Sequence, residues 1–312
     1  MSAPTVTPPP APTPPAASKK PRPIRPGEPA ETLYLVSTAC TVILLVCGWM
    51  LLQMLVLGRL SEARAQHLLY TEYRTQLATV TAPTGALDYN NKPVVEGSPV
   101  AMMSIPAIGT YDMVVVDGTA SGDLLDGPGH LRTTPMPGEI GTSVVMGRST
   151  TYGAPFGDIT SLRPGDHIQV LGAQGVTIYT VKDVRGAGDP VPPAPTGKSA
   201  GRLVLVTAQS TGFASGLRPR DVVYVDADTA KAHPTGLVYP LVPAAEQAMH
   251  SDTSALPLLV LFLALLAVVV LAVSVARRFV QPALVWLVAT PVVIALAWVV
   301  TDQVMRLLPN LM

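Results

Sequence analysis

The chain has 312 residues, 48% of them hydrophobic and only 13% charged, about half the charge that a soluble domain carries. Lys plus Arg equal Asp plus Glu at 21 each, so bulk charge gives no field to gather nucleic acid, and no nucleic-acid partner is expected. The apolar surplus is gathered into three runs, which sets the chain apart from a plain soluble globule.

In chain order, residues 1–31 open "MSAPTVTPPPAPTPPAASKKPRPIRPGEPA", with no aromatic residue and a dominance of Pro, Ala and Thr. Such a segment cannot bury a core and reads as a disordered or polyproline-like tether, with a ligand for a cytoplasmic partner as the other reading. The first apolar run, residues 32–57, holds no charge and reaches about 39 Å as a helix, enough to cross a bilayer. It lacks an A-x-A-like exit site and reads as an uncleaved anchor. Both cysteines, Cys40 and Cys47, lie inside it. Seven residues span about 10 Å of helix axis, so they cannot pair with each other, and residues 58–254 contain no thiol.

Residues 58–80 are rich in helix formers and read as a juxtamembrane helix, followed by a Pro/Gly/Asn-rich linker to residue 99. Between 100 and 229 strand-like runs recur, each closed by Gly, Pro or Asp: "VAMMSI", "YDMVVVDG", "TSVVMG", "DHIQVL", "GVTIYTVKDV", "RLVLVTA" and "DVVYVD". Short strands with no long amphipathic helix among them predict an all-β domain, a closed barrel or a sandwich. A linker, 230–254, returns the chain to two further apolar runs, 255–276 and 279–301, and residues 302–312 form a short tail. Pro282 and Pro291 fall in the last run, so a kink is expected there. Buried core helices are the other reading of these runs, but their lengths favour membrane spans. Lys19, Lys20, Arg22 and Arg25 precede the first run, and Arg277 and Arg278 form the turn between the last two. Positive flanks stay cytoplasmic. The expectation is a plasma-membrane protein of three spans, with its N-terminus inside and both the all-β domain and the tail outside.

Several stretches in order resemble one family. "IPAIGTYDMVVVDG" (105–118), "GPGH" (127–130), "TPMPGEIG" (134–141), "STTYGAPFGDITSLRPGD" (149–166) and "RLVLVTAQS" (202–210) are similar to the sortase domain, especially that of Gram-positive actinobacteria. The resemblance covers about residues 100–229 and implies a closed, roughly eight-stranded β-barrel. It also implies a chemistry, in which a Cys thiolate attacks a peptide carbonyl, a His shuttles the proton and an Arg steadies the oxyanion. The family's Cys position falls on Ala208, its His position on Arg148, and its Arg on Arg220, with Arg218 as the alternative. A methyl group has no lone pair, and a guanidinium accepts no proton at physiological pH. The resemblance therefore implies a catalytically degenerate member, a binding or assembly module rather than a Cys transpeptidase.

The alternative is a hydrolase or transferase with a replacement nucleophile, Ser210 or Thr207, and His130 as the base that the resemblance puts nearest the groove. His67, His167, His233 and His250 are scattered, so no metal site and no cofactor are expected. Asp123 and Asp126 read as a solvated turn rather than a cation site. "PTGKS" lacks the first Gly of a P-loop, since that position is Pro192. The binding groove implied by the family comprises Arg148, Arg220, His130 and Ser210. Two cations there would favour an anionic envelope polymer or a partner-protein segment, including an intact sortase or a surface protein. The competing reading is that Arg148 pairs with Asp158 or Glu139 and plugs the site.

Overall fold

The structure is a computed structural model that describes residue 44 and residues 48–209, 221–276, 279 and 281–312. The chain divides into two compact units, residues 1–47 and 48–312, and the elements below belong to the second. Most of the first predicted span lies outside the described residues. Its end, Gln53–Leu57, winds as π-helix and passes directly into α1, Gly58–Ala78.

Eight strands close into a barrel: β1 (Pro99–Ile105), β2 (Thr110–Asp117), β3 (Gly129–His130), β4 (Gly141–Met146), β5 (His167–Gly172), β6 (Gly175–Gly186), β7 (Gly201–Gln209) and β8 (Asp221–Thr229). Around the barrel the order is β1-β2-β3-β4-β7-β8-β6-β5. The pairs β2–β3 and β4–β7 are parallel and the others antiparallel. Seven strands coincide with the runs expected from sequence. The eighth, β3, is two residues long, too short to show any period.

The barrel is filled by Met103, Ile105, Phe156, Ile168, Leu203 and Leu205, all buried. Strand β6 alternates exposed and buried residues, whereas β7 is buried along eight of its nine positions. That is why "RLVLVTA" is an almost unbroken apolar run: β7 packs on both faces. Gly109 ends the short turn between β1 and β2 at φ 69°, a left-handed conformation that glycine adopts without a Cβ clash.

Helix α1 is fastened to the barrel wall. Tyr73 is fully buried and its hydroxyl donates to the Val100 carbonyl at 3.0 Å. The Gln66 amide donates to the Val114 carbonyl and accepts from the Val114 N–H, so it pairs with β2 as a strand neighbour would.

Two helices follow the barrel, α2 (Leu256–Ala276) and α3 (Pro282–Arg306). Among the described residues these are the two long and apolar enough to cross a membrane. Helix α3 differs from the expected run at both ends. It starts at Pro282, whose fixed φ and missing N–H suit a first turn. It continues five residues past 301, because Thr301 and Asp302 find partners in Trp49, Gln53 and Tyr152. It runs on as helix through Pro291.

Candidate functional site

Parallel pairing of β4 with β7 brings two chain-distant positions to one end of the barrel. Met146 is opposite Val206, the Gly147 N–H donates to the Val206 carbonyl at 3.0 Å, and the Thr207 hydroxyl donates to the Gly147 carbonyl at 3.0 Å. Arg148 and Ala208 follow directly. Gly147 has to be small, because a Cβ there would stand 2.5 Å from the Phe156 ring.

Ala208 is buried, its methyl group in an apolar cluster with Leu124, Met146, Val204, Val206 and Leu311. Arg148 is fully buried as well. Its Nε donates to the Leu124 carbonyl at 3.1 Å, and one terminal nitrogen donates to Thr151 Oγ1 at 3.1 Å and to the main-chain oxygen of Met312 at 3.2 Å. The other donates to the carbonyl and hydroxyl of Ser121, at 2.9 and 2.8 Å. All five N–H donors thus meet acceptors. Burial pushes the guanidinium down to about 10, and the nearby Tyr152 opposes that shift. It therefore stays charged at neutral pH.

These contacts correct both sequence readings of Arg148. It is not a cation facing an open cleft, since none of its surface is exposed. Nor does it pair with Asp158 or Glu139. Asp158 is exposed. Glu139 accepts from the N–H groups of Met136 and Gly236 and from the Gln174 amide. Among the described residues no Asp or Glu side chain pairs with Arg148. It is satisfied by loop carbonyls and hydroxyls, which composition cannot reveal.

His130 is buried with both ring nitrogens engaged. Nε2 faces the Pro135 carbonyl at 2.9 Å and therefore donates to it, and Nδ1 lies 3.4 Å from Asp117 Oδ1. Asp117 also meets Arg132 at 3.1 Å, and Arg132 lies across the Tyr239 ring at 4.1 Å. His130 thus belongs to a buried charge network that braces the turn after β3, not to a free general base. Thr207 is buried and donates its proton to a carbonyl, which is no base, so it lacks the activation a nucleophile needs. Ser210, Arg218 and Arg220 lie outside the described residues.

The turn at Asp123–Leu125 is not simply solvated. Asp123 accepts from the Ala120 N–H at 3.2 Å, and burial, reinforced by Glu96, pushes its carboxyl up to about 7. Glu246 is buried, and that burial pushes its carboxyl to about 7 against the pull of Arg132. Among the described residues no group of three or more His, Cys, Asp or Glu side chains is arranged to hold a metal ion.

Sequence reasoning missed the other wall of the site. Residues 310–312, beyond α3, are buried over the end of the β4–β7 pair. The Leu311 carbonyl accepts from the Ser149 N–H at 3.1 Å, and the Asn310 amide donates to the carbonyls of Thr119 and Gln247 at 2.8 and 3.0 Å. "LLPNLM" carries no charge, so an apolar tail seeking cover was its only sequence signal.

The class follows from a closed eight-stranded barrel with a parallel β4–β7 pair, taken with the family match that covers it. The family model for the sortase domain matches residues 103–228, and this part of the chain is a sortase domain. Similar solved structures include a Clostridium perfringens sortase D5 transpeptidase, at 20% identity and TM-score 0.40, covering 53% of this chain and 97% of that one. The SrtA sortase from Actinomyces oris is 26% identical with a TM-score of 0.36, over 44% and 82% of the two chains. Sortase E from Streptomyces avermitilis is 28% identical with a TM-score of 0.35, over 49% and 100%. No curated protein matches the chain.

Proposed function

We propose that this protein is a membrane-anchored sortase-fold pseudoenzyme that serves as a binding or assembly module at the cell envelope, without Cys transpeptidase activity. The observation that carries the reading is the state of the two equivalent positions. Ala208 offers only a methyl group, and Arg148 is a buried guanidinium whose five donors are all engaged. Neither can attack a carbonyl or shuttle a proton. The two long apolar helices support membrane anchoring, and the Lys/Arg bias around the spans supports a barrel on the outer side.

The test is turnover by the purified full-length protein in detergent micelles. It is expected neither to cleave nor to join sorting-type peptides, and thiol-directed inhibitors are expected to change nothing. Peptide turnover that Ser210→Ala abolishes would replace this reading with that of a hydrolase or transferase using a serine nucleophile.

A further inference from the structure

We infer that residues 307–312 are a built-in ligand of the sortase-domain pocket, held in cis at the end of α3, and that the pocket recognises Asn310 and Leu311. The inference deepens the binding-module reading and rests on it. The contacts are those of a bound peptide more than of a packed helix end. Asn310 is fully buried, its N–H donates to the His250 carbonyl at 3.0 Å, and its side-chain amide donates to the carbonyls of Thr119 and Gln247. Leu311 is fully buried in the apolar cluster that contains Ala208, while its carbonyl accepts from both the N–H and the hydroxyl of Ser149. The main-chain oxygen of Met312 accepts from the Thr151 hydroxyl at 2.6 Å and from Arg148. The Leu308 carbonyl accepts from Ser121. Main-chain bonds hold the segment in a turn, closed by the Met312 N–H donating to the Pro309 carbonyl at 3.2 Å, and two side-chain sites select its sequence.

The pocket has been remade around this occupant. Arg148 reaches the main-chain oxygen of Met312 instead of water, and the small Ala208 methyl leaves its place in the cluster to be shared with Leu311. Helix α3 ends at Arg306, so a few residues of tether separate the occupant from a membrane helix. Over so short a tether the effective concentration is in the mM range. A peptide in trans must displace the segment, and only one that offers Asn followed by Leu matches both sites. An envelope protein with such a segment would open the pocket by exchange.

Two experiments on full-length protein in micelles test this. In the first, a fluorescein-labelled peptide Leu-Leu-Pro-Asn-Leu-Met is titrated by anisotropy against wild type and an Asn310→Ala/Leu311→Asp variant that keeps a cooperative melt. The variant is expected to bind the peptide at least about tenfold more tightly than wild type, and a peptide with the same two changes is expected not to bind. Equal binding by wild type and variant overturns the inference. In the second, Ala208→Cys in a Cys40→Ser/Cys47→Ser background is labelled with a maleimide. Labelling should be slow with the segment intact and at least about tenfold faster after Leu311→Ala. Fast labelling with the segment intact would sink the idea without any need for peptide binding. Both readouts are independent of turnover, so this inference and the pseudoenzyme reading fail separately.

Discussion

At the residue scale, Arg148 shows how a fold holds a cation with none of its surface exposed. A buried cation is costly unless every donor is met, and here five are. Arg148→Ala strands acceptors on Leu124, Ser121, Thr151 and Met312 and is expected to destabilise the fold by about 2–4 kcal/mol. The loss should be indifferent to salt, because the group is shielded from ions. Urea unfolding at low and high salt checks both points. Ala208→Cys is expected to give no measurable transpeptidation even at high protein, because the new thiol has no proton shuttle beside it and lies under Leu311. Gly147→Ala would push a methyl group into the Phe156 ring, a change expected to cost about 1–3 kcal/mol by the same unfolding measurement.

At the element scale, the join between barrel and helices holds carboxyl groups that favour their protons. Asp123 rises from 3.8 to about 7 and Glu246 from 4.5 to about 7, both chiefly by burial. Glu62 on α1 also rises to about 7, through burial and the charge of Asp126. A folded-state value above the unfolded one means the native chain keeps a proton that the unfolded chain has released. Stability therefore falls as pH rises through the window from about 4 to about 7. Melting of the full chain is expected at higher temperature at pH 5 than at pH 7.5. The Asp123→Asn/Glu246→Gln double variant should narrow that gap. A melt that stays flat across the window would contradict the assignment. Elements with a period were legible beforehand: seven strands, the juxtamembrane helix and the last two apolar helices. Strand β3 was not, because two residues carry no pattern and its pairing is dictated by β2 and β4. The extra turn of α3 was not, because its partners Trp49 and Tyr152 lie more than a hundred residues away in sequence.

At the scale of the whole molecule, order along the chain revealed the sortase likeness, since that is a question of residue identity. What fills the site was hidden, because Asn310, Leu311 and Met312 meet it only through tertiary contact. Reporter fusions at residues 85 and 240 are both expected to read as extracytoplasmic, and a cytoplasmic signal from either would overturn the orientation. The link between Arg148 and Met312 spans 164 residues, and this separation matters during synthesis. A ribosome delivers Arg148 long before its last acceptor exists, and α2 and α3 must emerge in between. Until they have been made and the segment after them has docked, the barrel carries a buried cation one acceptor short and an apolar pocket without its leucine. Folding is then finished only when Asn310, Leu311 and Met312 reach the pocket, and a copy in which they do not remains a recognisable, incomplete product for proteases.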